Sequence, residues 1–105
     1  MSRSVFASNR DSFQAIYPGR SQRLSVGGSS TQSLSLLSAT TIVELFATTD
    51  CWVVFGANPT ASVNDGSSFF LAAGLFKCYG VQPGVKIAVM QDSTSGDLHI
   101  IEGSV

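Results

Sequence analysis

The stretch TIVELFATTDCWVVF, residues 41–55, carries the strongest structural signal in the chain. Two runs of β-branched, aromatic and other apolar residues, 41–47 and 51–55, favour β-strands, and Thr48-Thr49-Asp50 between them is typical of a tight turn. Alternation in the first run places Glu44 and two apolar neighbours on one face and three apolar residues on the other. The pattern predicts an antiparallel hairpin whose first strand is central and covered on both faces.

Short apolar runs separated by turn residues continue on both sides of this segment. They predict further strands at residues 22–26, 33–37, 67–71, 75–79, 85–91 and 97–102. Gln82-Pro83-Gly84 has the residues of a type II turn, and we expect Ala88 to face solvent. The last two strands are expected to form a hairpin, with Leu98 and Ile100 inward and His99 outward.

The number and spacing of these runs indicate the fold class. Strands that recur about every ten residues, without a convincing long helix, predict an all-β domain. We expect a β-sandwich or jelly-roll-like domain of seven or eight short strands, and an open barrel is the alternative.

Residues 1–20 are predicted to form an irregular N-terminal arm, and the β-domain is expected to span residues 21–105. Four arginines fall within the first 23 residues, whereas the rest of the chain is acidic. Aromatic and guanidinium groups in such a segment favour docking on an acidic partner surface, and a solvated tail is the alternative. The arm residues expected to bind a partner are Arg3, Phe6, Arg10, Phe13, Ile16, Tyr17 and Arg20.

The composition favours assembly over catalysis. Charged residues make up only 12% of the chain, against about 25% in typical domains. A surface with so few charges suits a chain that packs against neighbours. The arginines are too dispersed for a nucleic-acid patch, and no apolar run reaches the roughly 20 residues that cross a bilayer. We therefore expect protein partners and self-association, with neither nucleic acid nor membrane.

Two cysteines, Cys51 and Cys78, are too few for a disulfide scaffold and are wrongly spaced for a zinc site. The N-terminus lacks the apolar stretch of a signal peptide. We therefore expect synthesis in a reducing cytoplasm, with both thiols free and at least partly buried. A disulfide between Cys51 and Cys78 is the alternative in oxidising surroundings.

Residues with reactive side chains form no catalytic pattern, so we expect no enzyme, no metal and no cofactor. His99 is the only histidine, which leaves it without a second histidine for a metal site and without a marked serine for a triad. Glu44 lies between apolar residues, where a charge requires a partner. We expect that partner to be Lys77, Lys86 or an arginine of another subunit.

Two rings add an alternative to a purely structural role. Trp52 and Tyr79 are simplest to explain as core or interface residues, but exposed rings on a β-sandwich can also bind sugars. The residues predicted to lie at an interface are Glu44, Trp52, Tyr79 and His99.

Three stretches contain the most specific patterns: VELFATTDCWVVFGANPTA at 43–61, YGVQPGVKIAVM at 79–90 and GDLHIIE at 96–102. Together they resemble a widespread group of small virion proteins of tailed bacteriophages. Those proteins share a strand, an A-T-x-D-C turn, a strand ending in F-G-x-x-P-T-A, a V-x-P-G-x-x-I-A-V strand and a C-terminal hairpin. The resemblance covers residues 22–103 and leaves the arm outside it.

This resemblance implies a capsid decoration or cement protein, made in the host cytoplasm and incorporated into the virion. It would bind major capsid subunits and stabilise the head, and no catalytic residue comes with the family. Two other functions stay open. One is a tail, head-completion or fibre-associated virion component, and the other is a glycan- or receptor-binding β-sandwich module.

Overall fold

The computed structural model describes residues 17–104, and residues 1–16 and Val105 lie outside the described part. The described residues form eight β-strands and no helix, which confirms the predicted all-β class. The strands are β1 Tyr17–Val26, β2 Thr31–Gln32, β3 Ile42–Ala47, β4 Cys51–Gly56, β5 Phe69–Leu71, β6 Phe76–Gly80, β7 Lys86–Gln91 and β8 Gly96–Ser104.

The strands form two four-stranded antiparallel sheets. The first sheet has the order β1-β8-β3-β6 and the second has the order β2-β7-β4-β5. Strand β1 pairs with β8, β2 with β7, β3 with β6 and β4 with β5, so the first half of the chain pairs with the second half as one long folded ribbon. This is the strand order of a jelly roll, and it confirms the predicted sandwich architecture.

Two predicted hairpins are wrong, for one shared reason. Strands β3 and β4 lie in different sheets, and so do β7 and β8. The Thr48-Thr49-Asp50 turn therefore carries the chain across the sandwich and does not return it within one sheet. At this end the two crossing connections bond to each other, since Asp92 N donates to Asp50 O over 3.1 Å and Thr48 N donates to Asp97 O over 2.9 Å.

The core lies between the inner faces of the two sheets. Leu45 and Ile100 of the first sheet are fully buried, as are Val53 and Val89 of the second. Each such side chain contributes about 1.5–3 kcal/mol through burial. Strand β3 is central in its sheet as predicted, but only its inner face is covered by the opposite sheet.

Three strand boundaries differ from the prediction. Strand β1 begins at Tyr17, five residues before the predicted start at residue 22, and Tyr17 and Pro18 already pair with β8. Residues 33–37 form no strand and instead continue as an irregular segment after β2. Strand β5 begins at Phe69, two residues after the predicted start. The Asp65 carboxylate accepts hydrogen bonds from the backbone N–H groups of Ser67 and Ser68, which makes a turn at the positions predicted to begin the strand.

The predicted type II turn is confirmed. Gly84 has φ +82°, and Val85 N donates to Gln82 O over 3.5 Å. A positive φ at the third turn position requires glycine, which explains the Pro-Gly pair.

Candidate interaction surfaces

The end of the sandwich at which the chain enters β1 exposes large apolar side chains. Tyr17 is 75% exposed, and Leu34 and Leu37 in the neighbouring irregular segment are 65% and 45% exposed. A pocket of about 200 Å³ opens between β1, β8 and this segment. It is lined by Tyr17, Pro18, Gly19, Leu37, Ala39, Thr40, Gly103 and Ser104. We call this region the arm-root end, because residues 1–16 join the domain here.

A buried carboxylate organises the arm-root end. Glu102 of β8 is fully buried, and its Oε2 accepts hydrogen bonds from Arg20 Nε over 2.7 Å and from Gln22 Nε2 over 2.9 Å. Its Oε1 accepts hydrogen bonds from Leu37 N over 2.9 Å and from Thr40 Oγ1 over 2.8 Å. Glu102 thus joins the start of β1 to the segment that lines the pocket.

The hydrogen bonds to Glu102 also set its charge state. Burial alone raises the pKa of a carboxyl group, but the bonds from Leu37 N, Arg20, Gln22 and Thr40 outweigh burial and leave the pKa of Glu102 below its ordinary value. Both carboxylate oxygens accept two hydrogen bonds each, which is the arrangement that a buried charge needs.

Arg20 was predicted to bind a partner as part of the arm; the structure places it in strand β1, and its contact with a partner stays a prediction. Its guanidinium group pairs with Glu102, and its Nη2 donates to Ser35 O over 2.6 Å. The sequence contained a signal for this site, because the alternation that turns Leu98 and Ile100 inward also turns Glu102 inward. The other predicted arm residues, Arg3, Phe6, Arg10, Phe13 and Ile16, lie outside the described residues.

The outer face of the first sheet carries an aromatic row. Phe46 stacks on Phe76 with ring centroids 4.6 Å apart, and the ring of His99 lies 6.4 Å from Phe46. Phe76 is 63% exposed. His99 is exposed on this face, opposite Leu98 and Ile100, as its strand position predicted.

Glu44 lies in the next row of the same face, between Cys78 of β6 and Ile101 of β8. It is half-buried, and the Cys78 Sγ lies 4.0 Å from its Oε2. Neither predicted lysine pairs with it among the described residues, because Lys77 is paired in register with inward-facing Leu45 and Lys86 belongs to the second sheet. The prediction that an arginine of another subunit pairs with Glu44 stays open.

The outer face of the second sheet is partly covered by the chain itself. Gln32 Nε2 donates to Asn58 Oδ1 over 2.9 Å and to Pro59 O over 2.8 Å, which holds the loop after β4 against the sheet. Ala88 was predicted to face solvent, and this is wrong, since it is fully buried. A strand pattern gives the face of a residue but not which loop covers that face.

Beside this loop, Trp52 and Phe70 form an edge-to-face pair with ring centroids 5.4 Å apart. Trp52 Nε1 donates to Asp92 Oδ1 over 3.0 Å. Trp52 is half-buried, whereas Phe70 is exposed, so the pair presents one exposed ring on this face.

Tyr79 does not share a surface with Trp52. Its ring packs inside the sandwich with Phe55 and Phe69, at centroid distances of 5.7 and 5.0 Å, and burial raises the pKa of Tyr79. These three rings join the β5 and β6 edges of the two sheets. A second pocket, of about 240 Å³, opens between Phe55 and Val81 nearby.

The two cysteines are free, as expected, but the prediction that both are at least partly buried is wrong for Cys78. Cys51 is buried on the inner face of the second sheet, whereas Cys78 is exposed on the outer face of the first. The two thiols point to different layers, so the alternative of a disulfide between them is wrong. Among residues 17–104 no group of His, Cys, Asp and Glu side chains could hold a metal ion. The same residues contain no helix long and apolar enough to cross a membrane.

The comparisons with known proteins give no family for this chain. No protein-family model, no curated protein and no solved structure matches it.

Proposed function

We propose that this chain is a non-enzymatic structural protein of a tailed-bacteriophage virion, which decorates the head by binding major capsid subunits. The motifs at 43–61, 79–90 and 96–102 support this proposal by resemblance. The jelly-roll fold supports it by analogy alone, because jelly rolls occur in viral capsid proteins and also in lectins.

The observation that carries the proposal is the apolar arm-root end. Tyr17 and Leu37 are exposed beside the pocket, and the Glu102 hydrogen bonds fix the backbone around them. Preorganised apolar side chains lose little entropy when a partner covers them. A capsid subunit seated at this end would contact the domain and the arm together.

The arm adds a second contact to the same partner. Any conformational freedom that the arm loses on binding lowers its affinity for the area that it covers. Linking it to the docked domain raises its effective concentration, and repetition over a particle multiplies the effect. The domain and its arm therefore attach the protein to the capsid through two linked contacts.

The test is cosedimentation of the purified protein with particles that lack it. A variant with residues 1–16 replaced by one methionine keeps Arg20 and the Glu102 contacts, whereas removal of 1–20 would destroy them. Leu37→Asn alters the exposed side chain of the arm-root end, and Leu75→Asn is the matched control at another exposed leucine. We expect weaker binding for the first two variants and unchanged binding for the control. Full binding by both would refute this role for the arm-root end.

Copy number separates decoration from the other virion function. Many copies distributed over the head agree with decoration, whereas a few copies at the neck or tail would support a tail, head-completion or fibre-associated component.

A glycan-binding module is the second candidate, and one observation favours it. Phe70 is exposed and packs against Trp52, whose indole N–H donates to Asp92, and an exposed ring of this kind can bind a sugar. Binding of the isolated protein to a glycan array, abolished by Phe70→Ser, would support this candidate. An absence of binding at millimolar sugar would remove it.

A further inference from the structure

The two outer faces of the sandwich differ in what covers them. On the second sheet, Gln32 holds the loop after β4 through hydrogen bonds to Asn58 and Pro59, and Ala88, which is paired in register with Gln32, is fully buried. On the first sheet, Phe76 is 63% exposed, and Cys78 and His99 are also exposed on the outer face. This face contains Ile42, Phe46 and Ile101 around Glu44.

A cover for this face must satisfy an electrostatic condition. Glu44 is half-buried and lies among apolar side chains, and no cation of residues 17–104 pairs with it. Covering an unpaired carboxylate is costly. The occupant must therefore bring a cation together with apolar side chains, and an arginine suits best because its planar fork matches a carboxylate.

The chain itself contains a segment of this composition. Residues 1–16 include Arg3, Arg10, Phe6 and Phe13, against the single acidic residue Asp11. Residues 17–104 carry six acidic and four basic side chains, so the two parts are complementary in charge.

Residues 1–16 join the domain at Tyr17, close to the outer face of the first sheet. Pro18 of β1 is in register with Gly103 of β8, and Gly103 is in register with Ile42 of β3, two residues before Glu44. Two strand spacings, about 10 Å, separate β1 from β3. A segment of 16 residues can extend to about 55 Å, so either arginine can reach Glu44 after the chain reverses.

We propose that, in the free protein, residues 1–16 dock on the outer face of the first sheet of their own domain, with Arg3 or Arg10 paired to Glu44. The short connection through Tyr17 favours the same chain, because it gives the segment a high effective concentration at this face. This inference concerns the isolated protein and does not rest on the proposed function. If both hold, the arm must leave its own domain to reach a capsid subunit.

Cys78 provides the test, because its thiol lies on this face beside Glu44. The rate of Cys78 modification by a thiol reagent is measured in the full chain and in the variant lacking residues 1–16. A docked arm that is held by about 1.4 kcal/mol shields the thiol about tenfold, so removal should accelerate the reaction about tenfold. The loss of Arg3 and Arg10 cannot by itself cause this acceleration. Nearby positive charge makes a thiol more reactive, so removing the two charges alone would slow the reaction.

Full-length variants keep the test independent of how the shortened chain folds. Phe6→Ser with Phe13→Ser, and separately Arg3→Gln with Arg10→Gln, should each accelerate the reaction, and Arg23→Gln, whose partner is Asp97, is the matched control. Equal rates in the full chain and in all arm variants would overturn the proposal. Shielding that disappears on dilution would also overturn it, because the arm of a second copy would then be the occupant.

Discussion

Arg20 Nε lies 2.7 Å from Glu102 Oε2, and this ion pair joins the first strand of the domain to the last. The carboxylate is fully buried, and the arginine is only partly exposed. Residues 1–16 therefore join the domain next to a buried ion pair. Its carboxylate, Glu102, accepts four hydrogen bonds. The arm is attached to a rigid point of the sandwich.

Replacing Glu102 with Gln should destabilise the domain strongly. The amide keeps one acceptor oxygen but turns an N–H group toward donors, so either Arg20 and Gln22 or Leu37 N and Thr40 lose their acceptor. Removing one member of a buried, hydrogen-bonded pair costs about 3–5 kcal/mol, and partial exposure of Arg20 reduces this to about 2–4 kcal/mol. Urea unfolding followed by Trp52 fluorescence measures the change.

The ion pair between Arg23 and Asp97 is the matched control for Glu102. Its atoms are 3.5 Å apart and both side chains are substantially exposed. Exposed pairs contribute less than about 1 kcal/mol, so Arg23→Gln should barely move the urea midpoint. Equal losses in Arg23→Gln and Glu102→Gln would contradict the role that we assign to Glu102.

Acid should weaken the domain through the same carboxylate. The pKa of Glu102 is lower in the folded protein than its ordinary value of 4.5, so the unfolded chain binds more protons as the pH falls. The stability that Glu102 contributes is therefore complete above pH 4.5 and is lost as the pH falls through the folded-state pKa.

Comparing wild type with Glu102→Gln isolates this contribution of Glu102 to the pH dependence. The difference in unfolding free energy between the two proteins should be constant near neutral pH and should shrink below pH 4.5. The comparison is needed because Asp65 also has a lowered pKa, caused mainly by its hydrogen bonds with Ser67. A difference that stays constant down to pH 3 would contradict the prediction.

Side-chain alternation was the part of the fold that the sequence could predict. In β3 the inner positions Val43 and Leu45 are fully buried, and in β8 the same holds for Leu98 and Ile100. Alternation depends only on local backbone geometry, which is why it can be read from neighbouring residues. The glycine of the Pro83-Gly84 turn is equally local, and it was also predicted correctly.

Pairing between strands could not be predicted in this way. Thr48-Thr49-Asp50 suits a hairpin turn as well as it suits a crossing between sheets, and only the position of β8 beside β3 selects the crossing. The Glu102 site has the same origin, because Arg20, Thr40 and Glu102 are brought together by topology. Alternation indicates that Glu102 points inward, but residues so far apart in the chain carry no spacing signal that would identify its partners.

The turn-rich end of the sandwich should tolerate no added volume at Gly96. A Cβ atom there would lie 2.7 Å from Thr48 Oγ1 and 2.8 Å from Thr49 Cγ2. These side chains belong to the crossing from β3 to β4 and are hydrogen-bonded to Asp97 and Thr94. Overpacking of this kind costs about 1–3 kcal/mol, so Gly96→Ala should lower the thermal midpoint.

A second glycine provides the comparison for Gly96. No atom lies within 4 Å of a Cβ added at Gly28, and its φ is not in the left-handed region. Gly28→Ala should therefore leave the thermal midpoint unchanged or raise it slightly, through lower entropy of the unfolded chain. Similar losses in both variants would show that the close contact at Gly96 is not the cause.

The two thiols should differ sharply in reactivity. Burial, assisted by the negative charge of Asp50, raises the pKa of Cys51 to about 11. At pH 8 Cys51 is therefore almost entirely in the unreactive thiol form, and it is buried on the inner face of the second sheet. The folded protein should therefore react with one equivalent of a thiol reagent, at Cys78, and with two equivalents in urea. Cys78→Ser should abolish the reaction of the folded protein, and Cys51→Ser should leave it intact. Rapid modification of Cys51 in the Cys78→Ser variant, at a rate faster than global unfolding, would mean that the β4 edge opens on its own.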